Sequence, residues 1–416
     1  MLRPIKSVSI IGLGYVGLPL AATLAGRGIH VRGIDLRESV VERVNSGRSH
    51  FIEPDLDTVV HSVVNMGFLS AALEPSPADC FVISVPTPVG HNNAPDMSAV
   101  DSALDSIAPV LRAGTLVLVE STSPVGTTRN AAERLHAHRP DLSFPHQAPE
   151  HSDVMVAYCP ERILPGNTLR ELTDNARIIG GLDQRSAQRA HQFYSIFVRG
   201  EIFETQAEIA ELVKIAENAF RDVNIAFANE LSLISHAHKV DVWEVIKLAN
   251  HHPRVNILQP GPGVGGHCIP VDPWFIVHAH PTLARLIRAS REVNLAKQNH
   301  VRDLIVSAAK QFHHPRIALL GLSYKPNIDD LRESPAVGIA TDLARAEIGE
   351  LLLVEPHVAE LPPSLARFGC VKLIGVKEAI ESADIVAILV AHDQFAELDR
   401  AQLAAKHVID AVGAAR

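Results

Sequence analysis

The feature that most constrains the fold is a glycine pattern near the start of the chain. Val8-Ser9-Ile10-Ile11 reads as a short buried strand, Gly12-Leu13-Gly14-Tyr15-Val16-Gly17 follows it, and Leu18 to Ala25 reads as a helix. A second strand, Val31 to Asp35, ends in an acid 18 residues past Gly17. A GxGxxG alone is a weak signal. One that follows a strand, opens a helix and precedes an acid at this distance marks a dinucleotide-binding βαβ unit. Gly12 permits the tight turn, Gly14 lets the backbone approach a pyrophosphate, and Gly17 allows close helix–strand packing. The helix N-terminus offers free N–H groups and partial positive charge to the phosphates. Asp35 suits the ribose hydroxyls and repels a 2′-phosphate, which favours NAD over NADP, although Arg37 is near enough to blur the preference.

The unit continues with a strand over 78–85 followed by Pro86-Thr87-Pro88, and another over 115–120 followed by Ser121-Thr122-Ser123. In an open parallel sheet the carboxyl ends of strands face the ligand, so Thr87 and Thr122 are candidate cofactor contacts, with turn-capping hydroxyls as the alternative. From Glu201 to His252 there is neither Gly nor Pro. Ile209, Leu212, Val213, Ala216, Phe220, Val223 and Phe227 form a 3.6-period stripe, so the stretch reads as one long helix, then a shorter one with Asp241 as N-cap. Lys214, Asn218 and Arg221 share one face beside that stripe, an arrangement usually met on solvated faces.

Past Arg316 the N-terminal pattern repeats. Gly321-Leu322-Ser323-Tyr324-Lys325-Pro326 echoes Gly12 to Gly17 at a constant offset, and Leu351 to Glu355 matches the strand that ends in Asp35. The second and third glycines have become Ser323 and Pro326, so a different nucleotide or a nucleotide sugar is the expected occupant. The expected architecture is α/β: two Rossmann-like, doubly wound parallel-sheet domains joined by a helical central domain. The expected boundaries are 1–204, 205–302 and 303–416.

Composition narrows the function. A net charge of −9 is a poor fit to a nucleic acid backbone. The apolar run from Val8 to Ala25 mimics a signal peptide, but its glycines belong to the dinucleotide motif, and no other stretch suits a membrane. Four scattered cysteines fit a reducing compartment, hence the cytoplasm, and the 22 histidines show no metal-ligand spacing. Cys80 and Cys159 lie in apolar runs and read as small buried hydrophobes. Cys268 differs. It sits in Pro260-Gly261-Pro262-Gly263-Val264-Gly265-Gly266-His267-Cys268-Ile269-Pro270-Val271-Asp272, where glycines let the backbone come very close to something. A thiol in such a loop is a candidate nucleophile, with a buried structural cysteine as the alternative.

Six ordered motifs carry a family resemblance: GLGYVGLPLA, ESTSPVGTT, YCPERILPG, ELVKIAENAFRDVNIAFANEL, PGPGVGGHCIPVDPW and KPNIDDLRESPA. Together they resemble the UDP-glucose/GDP-mannose dehydrogenase family from end to end, and within it most closely the branch that acts on UDP-N-acetyl-D-mannosamine. The resemblance implies oxidation of a sugar carbon 6 alcohol to a carboxylate with two NAD, one water and no metal, for surface polysaccharide synthesis. It implies Cys268 as nucleophile, forming a thiohemiacetal and then a thioester. Lys214 becomes the proton carrier or oxyanion stabiliser, Asp272 and Glu161 help activate water, and Asn218 helps hold the oxyanion. The trio Lys214, Asn218 and Arg221 then faces the sugar. Arg162, Ile163, His252, Arg254, Gly265 and Lys325 match substrate contacts, with His251 a rival for His252. Tyr15, Val16, Asp35, Thr87, Thr122 and Arg332 match NAD contacts. A homodimer through the central helix, with Arg254 reaching across it, is also implied. The same chemistry on UDP-glucose, UDP-N-acetylglucosamine or GDP-mannose, a two-electron hydroxyacid dehydrogenase, and a non-catalytic nucleotide-sugar binder are the alternatives.

Overall fold

The computed structural model describes residues 3–163 and 166–415; Leu164 and Pro165, within the YCPERILPG motif, lie outside them. The chain divides into two compact units, Met1–Ala216 and Glu217–Arg416.

The first unit is built on an eight-stranded sheet. Its strands are β1 (Ser7–Ile11), β2 (His30–Ile34), β3 (Leu69–Ala72), β4 (Cys80–Ile83), β5 (Leu116–Val119), β6 (Met155–Tyr158), β7 (Arg177–Gly181) and β8 (Ile202–Gln206). The spatial order is β3-β2-β1-β4-β5-β6-β7-β8, parallel throughout except between β6 and β7. The order reverses between β1 and β4, which places the ligand crevice of such a sheet beyond their carboxyl ends. β4 shows why the sheet is covered on both sides. Cys80 and Val82 enter one core with Ile10 and Leu18, while Phe81 and Ile83 enter the other with Ile11 and Leu104. Alternation sends successive side chains to opposite faces, so a strand buried on both faces must be apolar throughout.

β8 departs from the expected helix starting near Glu201. Ile202-Phe203-Glu204-Thr205-Gln206 pairs in parallel with β7 at the sheet edge. Its β-branched and aromatic residues suit an edge strand, and the absence of Gly and Pro cannot distinguish strand from helix. The helix begins at Ala207 and runs to His238. At 1.5 Å per residue it is ~48 Å long. Asp241 then caps Val242–Ala249, its carboxylate accepting from the Trp243 N–H at 2.8 Å.

The second unit carries most of that helix, the helices Asp272–Ala279 and Arg285–Ala309, and a five-stranded parallel sheet. Its strands are β9 (Arg316–Leu320), β10 (Glu350–Val354), β11 (Val371–Leu373), β12 (Ile385–Ile388) and β13 (His407–Asp410), in the order β11-β10-β9-β12-β13. This is the second Rossmann-like sheet the echo anticipates. Buried Arg291 joins its helix to the long one through an ion pair with Asp222 at 2.6 Å. Among the described residues no helix is long and apolar enough to cross a membrane.

Candidate active site

In the first unit the glycines of the turn after β1 are set by contact. Gly12 has φ +96°, its N–H donates to the Ile34 carbonyl at 2.7 Å, and a Cβ there would lie 2.3 Å from the Ser84 carbonyl oxygen. A Cβ on Gly17 would lie 1.9 Å from the Gly12 carbonyl oxygen. Gly14 is different: no atom lies within 4 Å of where its Cβ would be. Two glycines thus close the turn and the third leaves an open approach to backbone at a helix N-terminus, a cradle that fits a dinucleotide pyrophosphate. Tyr15 is partly exposed, its ring 4.3 Å from that of Phe51, and Val16 is the N-cap residue.

Asp35 follows β2. Its carboxylate accepts from the Leu13 N–H at 3.3 Å and from the Arg37 N–H and guanidinium at 3.0 and 3.1 Å. Burial pushes this carboxyl up, but the Arg37 bonds more than offset that and hold it below the usual carboxylate range. It is therefore ionised and ready to accept, while Arg37 partly neutralises it. Thr87 and Thr122 are half-buried just beyond the carboxyl ends of β4 and β5. Ser121, which the motif did not single out, ties the two loops together, accepting from the Val85 N–H and donating to the Val85 carbonyl.

Beyond β6 lies a buried charged cluster. The Glu161 carboxylate pairs with Arg177 at 2.9 Å and accepts from the Arg162 N–H at 2.6 Å. The Glu161 carbonyl accepts from the buried Lys214 ammonium at 2.7 Å. Arg162 also reaches the Ala176 carbonyl, and Ile163 packs on the adjoining core. Two members were not foreseen. Glu120, 3% exposed, accepts from the Tyr194 hydroxyl at 2.5 Å. Burial, helped by the Glu161 charge and opposed by Arg177 and the Tyr194 hydroxyl, pushes its carboxyl up to about 7. Glu211, one turn before Lys214 on the long helix, accepts from the N–H groups of Gly126 and Thr128 and from the Thr128 hydroxyl, capping the Thr127–His138 helix. Cys159 is also buried here, its thiol pushed up to about 12 by desolvation, and burial likewise raises Cys80. Both are buried, as their reading as small buried hydrophobes expects.

In the second unit Cys268 is exposed. Its carbonyl accepts from the Asp272 N–H at 2.8 Å, and the buried Asp272 carboxylate accepts from the Asn218 side-chain amide at 2.5 Å. The close approach implied by the glycine run is to the chain itself. A Cβ on Gly265 would lie 2.7 Å from the Glu333 carbonyl oxygen and 2.7 Å from the Tyr324 Cβ, and Gly266, at φ +91°, lies against the Tyr324 ring. The Gly266 N–H donates to the Arg332 carbonyl at 3.3 Å. Arg332 is half-exposed and held by Asp330 through two bonds of 2.8 and 2.6 Å. Neighbouring His267 is held below its ordinary value by burial and by the Arg332 charge. Lys325 is half-buried in the turn that Tyr324 completes, its carbonyl accepting from the Ser323 hydroxyl. Glu355, the counterpart of Asp35, turns inward and accepts from the N–H groups of Leu322 and Ser323 at 2.7 and 2.9 Å.

The residues singled out from sequence therefore group as follows. Glu161, Arg162 and Lys214 meet in one unit, and Asn218, Cys268 and Asp272 are linked in the other. Arg221, His252 and Arg254 are exposed, and the Arg254 N–H donates to the His252 ring at 3.3 Å.

Three family models match the chain in order. They are the NAD binding domain of the UDP-glucose/GDP-mannose dehydrogenase family over residues 6–198, its central domain over 208–296, and its UDP binding domain over 318–415. The chain is 54% identical to an NDP-N-acetyl-D-galactosaminuronic acid dehydrogenase of Ralstonia nicotianae, covering 98% of this chain and 96% of that one. It is 52% identical to a UDP-N-acetyl-D-mannosamine dehydrogenase of Campylobacter jejuni, covering 94% and 97%. A solved UDP-D-ManNAc dehydrogenase from Pyrococcus horikoshii superposes with a TM-score of 0.87 at 36% identity, covering 98% and 96%.

Proposed function

The chain belongs to the UDP-glucose/GDP-mannose dehydrogenase family, and from that premise we propose that it oxidises carbon 6 of UDP-N-acetyl-D-mannosamine to give UDP-N-acetyl-D-mannosaminuronate. As a member it is an NAD-dependent oxidoreductase acting on a UDP-sugar. Similarity along nearly the whole chain to the Campylobacter jejuni enzyme is the observation that carries the choice of sugar. The Ralstonia nicotianae relative supports a second reading, an N-acetylgalactosamine nucleotide.

The reaction takes an alcohol to a carboxylate, removing four electrons and adding one water oxygen. NAD, when bound, accepts the hydride of each oxidation, two per turnover. The thiol resolves the difficulty of the second oxidation, because a free aldehyde is a poor hydride donor. The Cys268 sulfur bonds to carbon 6, the carbonyl oxygen takes up the electron pair, and the resulting thiohemiacetal carbon carries both a hydrogen and an oxyanion. Lys214 stabilises that oxyanion or carries its proton, with Asn218 beside it. The amide of Asn218 already donates to Asp272, which supports their acting together. After the second oxidation the thioester takes up water, activated by Asp272 and Glu161; the C–S bond breaks and the thiolate is regenerated. An exposed Cys268, against buried Cys80 and Cys159, supports its role.

Arg162, Ile163, Arg221, His252, Arg254, Gly265 and Lys325 are the proposed sugar-nucleotide contacts. Tyr15, Val16, Asp35, Thr87, Thr122 and Arg332 are the proposed NAD contacts. The protein works as a homodimer. The outer face of the long helix supports this, since Phe220 is 72% exposed and Phe227 56% exposed. Four cysteines, none in a disulfide among the described residues, suit the cytoplasm, and the uronate would serve a surface polysaccharide.

The decisive measurement is NADH formed per sugar with limiting nucleotide sugar. Two NADH per UDP-N-acetyl-D-mannosamine, little from UDP-N-acetylgalactosamine or UDP-glucose, and no uronate from Cys268→Ala is the expected result. One NADH per sugar overturns the thioester route; two from another sugar overturns only the substrate.

A further inference from the structure

The second unit contains a cavity of about 160 Å³, of mixed polar and apolar lining, that involves none of the residues assigned above to substrate or catalysis. Ser232 and His236 from the end of the long helix, Lys297 and His300 from the Arg285–Ala309 helix, and the carboxyl end of β13 form its walls. Lys297 is 7% exposed, and its ammonium donates to the Ser232 hydroxyl at 2.7 Å. An ammonium has three donors, and a hydroxyl is not a counter-charge. Among the described residues no carboxylate lies within ion-pair distance of it. The two acids that line the cavity have backbone N–H donors of their own. Asp241 caps its helix through the Trp243 N–H, and Asp410 accepts from the N–H groups of Val412, Gly413, Ala414 and Ala415.

One ammonium and two imidazoles therefore face a cavity that Asp241 and Asp410 also line. The rings of His236 and His300 meet edge to face at 5.3 Å. Burial, then the charges of Lys297 and His236, hold His300 below its ordinary value. Burial pushes the Lys297 amine down to about 8, so it still carries its proton at neutral pH. A buried cation without a partner is costly, and a small anion removes that cost.

We propose that this cavity binds a small oxyanion, a phosphate or carboxylate group, on the Lys297 ammonium with Ser232, His236 and His300 completing the shell. Its occupant would tie the long helix and the Arg285–Ala309 helix to the end of the C-terminal sheet. Such a site is independent of which sugar is oxidised.

The test is thermal unfolding of the full chain at constant ionic strength, with saturating NAD and UDP so that the nucleotide-phosphate sites are filled. Raising inorganic phosphate to about 10 mM is expected to lift Tm saturably by about 2 °C or more, and Lys297→Met is expected to abolish the rise. Malonate and acetate in place of phosphate distinguish a carboxylate ligand from a phosphate. No saturable rise with any of the three anions, or an equal rise in Lys297→Met, overturns the site. If Lys297→Met does not fold, His300→Asn carries the same readout, with a weakened rise expected and an undiminished one against the proposal.

Discussion

Glu120 shows how far a single side chain can be shaped by contacts distant in sequence. It follows β5 directly and precedes Ser121 and Thr122, so its sequence position suggests a cofactor-facing loop. Instead its carboxyl is buried beside the Glu161–Arg177 pair, bonded to Tyr194 from 74 residues away. With Glu120 protonated, that pair is balanced; with Glu120 ionised, two carboxylates share one guanidinium. Because the folded-state value is raised to about 7 from 4.5, its contribution to stability is full below the unfolded value and is lost as pH rises through about 7. Glu120→Gln removes the titration while keeping an acceptor for Tyr194. Urea unfolding should show variant and wild type alike near pH 4.5 and the variant gaining steadily up to neutral pH, by at most ~3 kcal/mol. A difference that does not change with pH would remove Glu120 as the titrating group.

At the scale of elements, legibility follows the range of the interactions. The turn after β1 and its echo at Gly321 could be read because the residue pattern that makes the turn is local, even though Gly12 and Gly321 also make room for Ser84 and Val390 from the ends of later strands. Cys268 stood out for the same reason, its glycine run being a local signature. The partners of that run were not readable, since Tyr324, Glu333 and Pro335 arrive from a different part of the chain. Glu211 was equally hidden, a charged residue on a helix whose role appears only when the Thr127–His138 helix is placed against it. β8 failed differently, because five residues of mixed character become a strand only through pairing with β7. The glycine loop yields a sharp contrast. Gly265→Ala puts a Cβ 2.7 Å from a carbonyl oxygen and 2.8 Å from the Pro335 ring, so the loop must move. It should cost about 1–3 kcal/mol and displace Cys268 enough to lose most turnover. Gly261→Ala, whose nearest neighbour is 3.9 Å away, should leave both nearly unchanged. Chemical denaturation and NADH production on the two variants check this; equal behaviour would mean that the loop is not pinned at Gly265.

The whole molecule poses a question that the long helix frames. The apolar stripe evident in the sequence is not the face that packs inward. Apart from Ile215, the buried positions are small or polar residues, among them Ala210, Glu211, Lys214, Ala219, Asp222, Ala226 and Asn229, and the polar ones are committed to caps, ion pairs and the proposed chemistry. Ile209, Leu212, Phe220, Phe227 and Ile234 point outward and are each about half exposed or more. A helix whose inner face is used for polar contacts and whose outer face is aromatic has its own hydrophobic surface still to cover, and large exposed apolar patches mark association sites. In the proposed homodimer a second copy of the same helix would cover that surface symmetrically, each phenylalanine meeting its equivalent's neighbours across a twofold axis. Light scattering should therefore give twice the 45.0 kDa chain mass at micromolar concentration. Phe220→Ser with Phe227→Ser should shift the protein to the single-chain mass, because two solvated hydroxyls replace most of the apolar contact at the centre of the stripe. The dissociated chain should keep NAD binding, whose cradle lies far along the sequence in β1 and β2. It should lose turnover, because Arg254 is proposed to serve the partner's sugar-nucleotide site. A single-chain mass for the wild type would remove the dimer; a variant that is monomeric yet fully active would keep the dimer and remove the shared site.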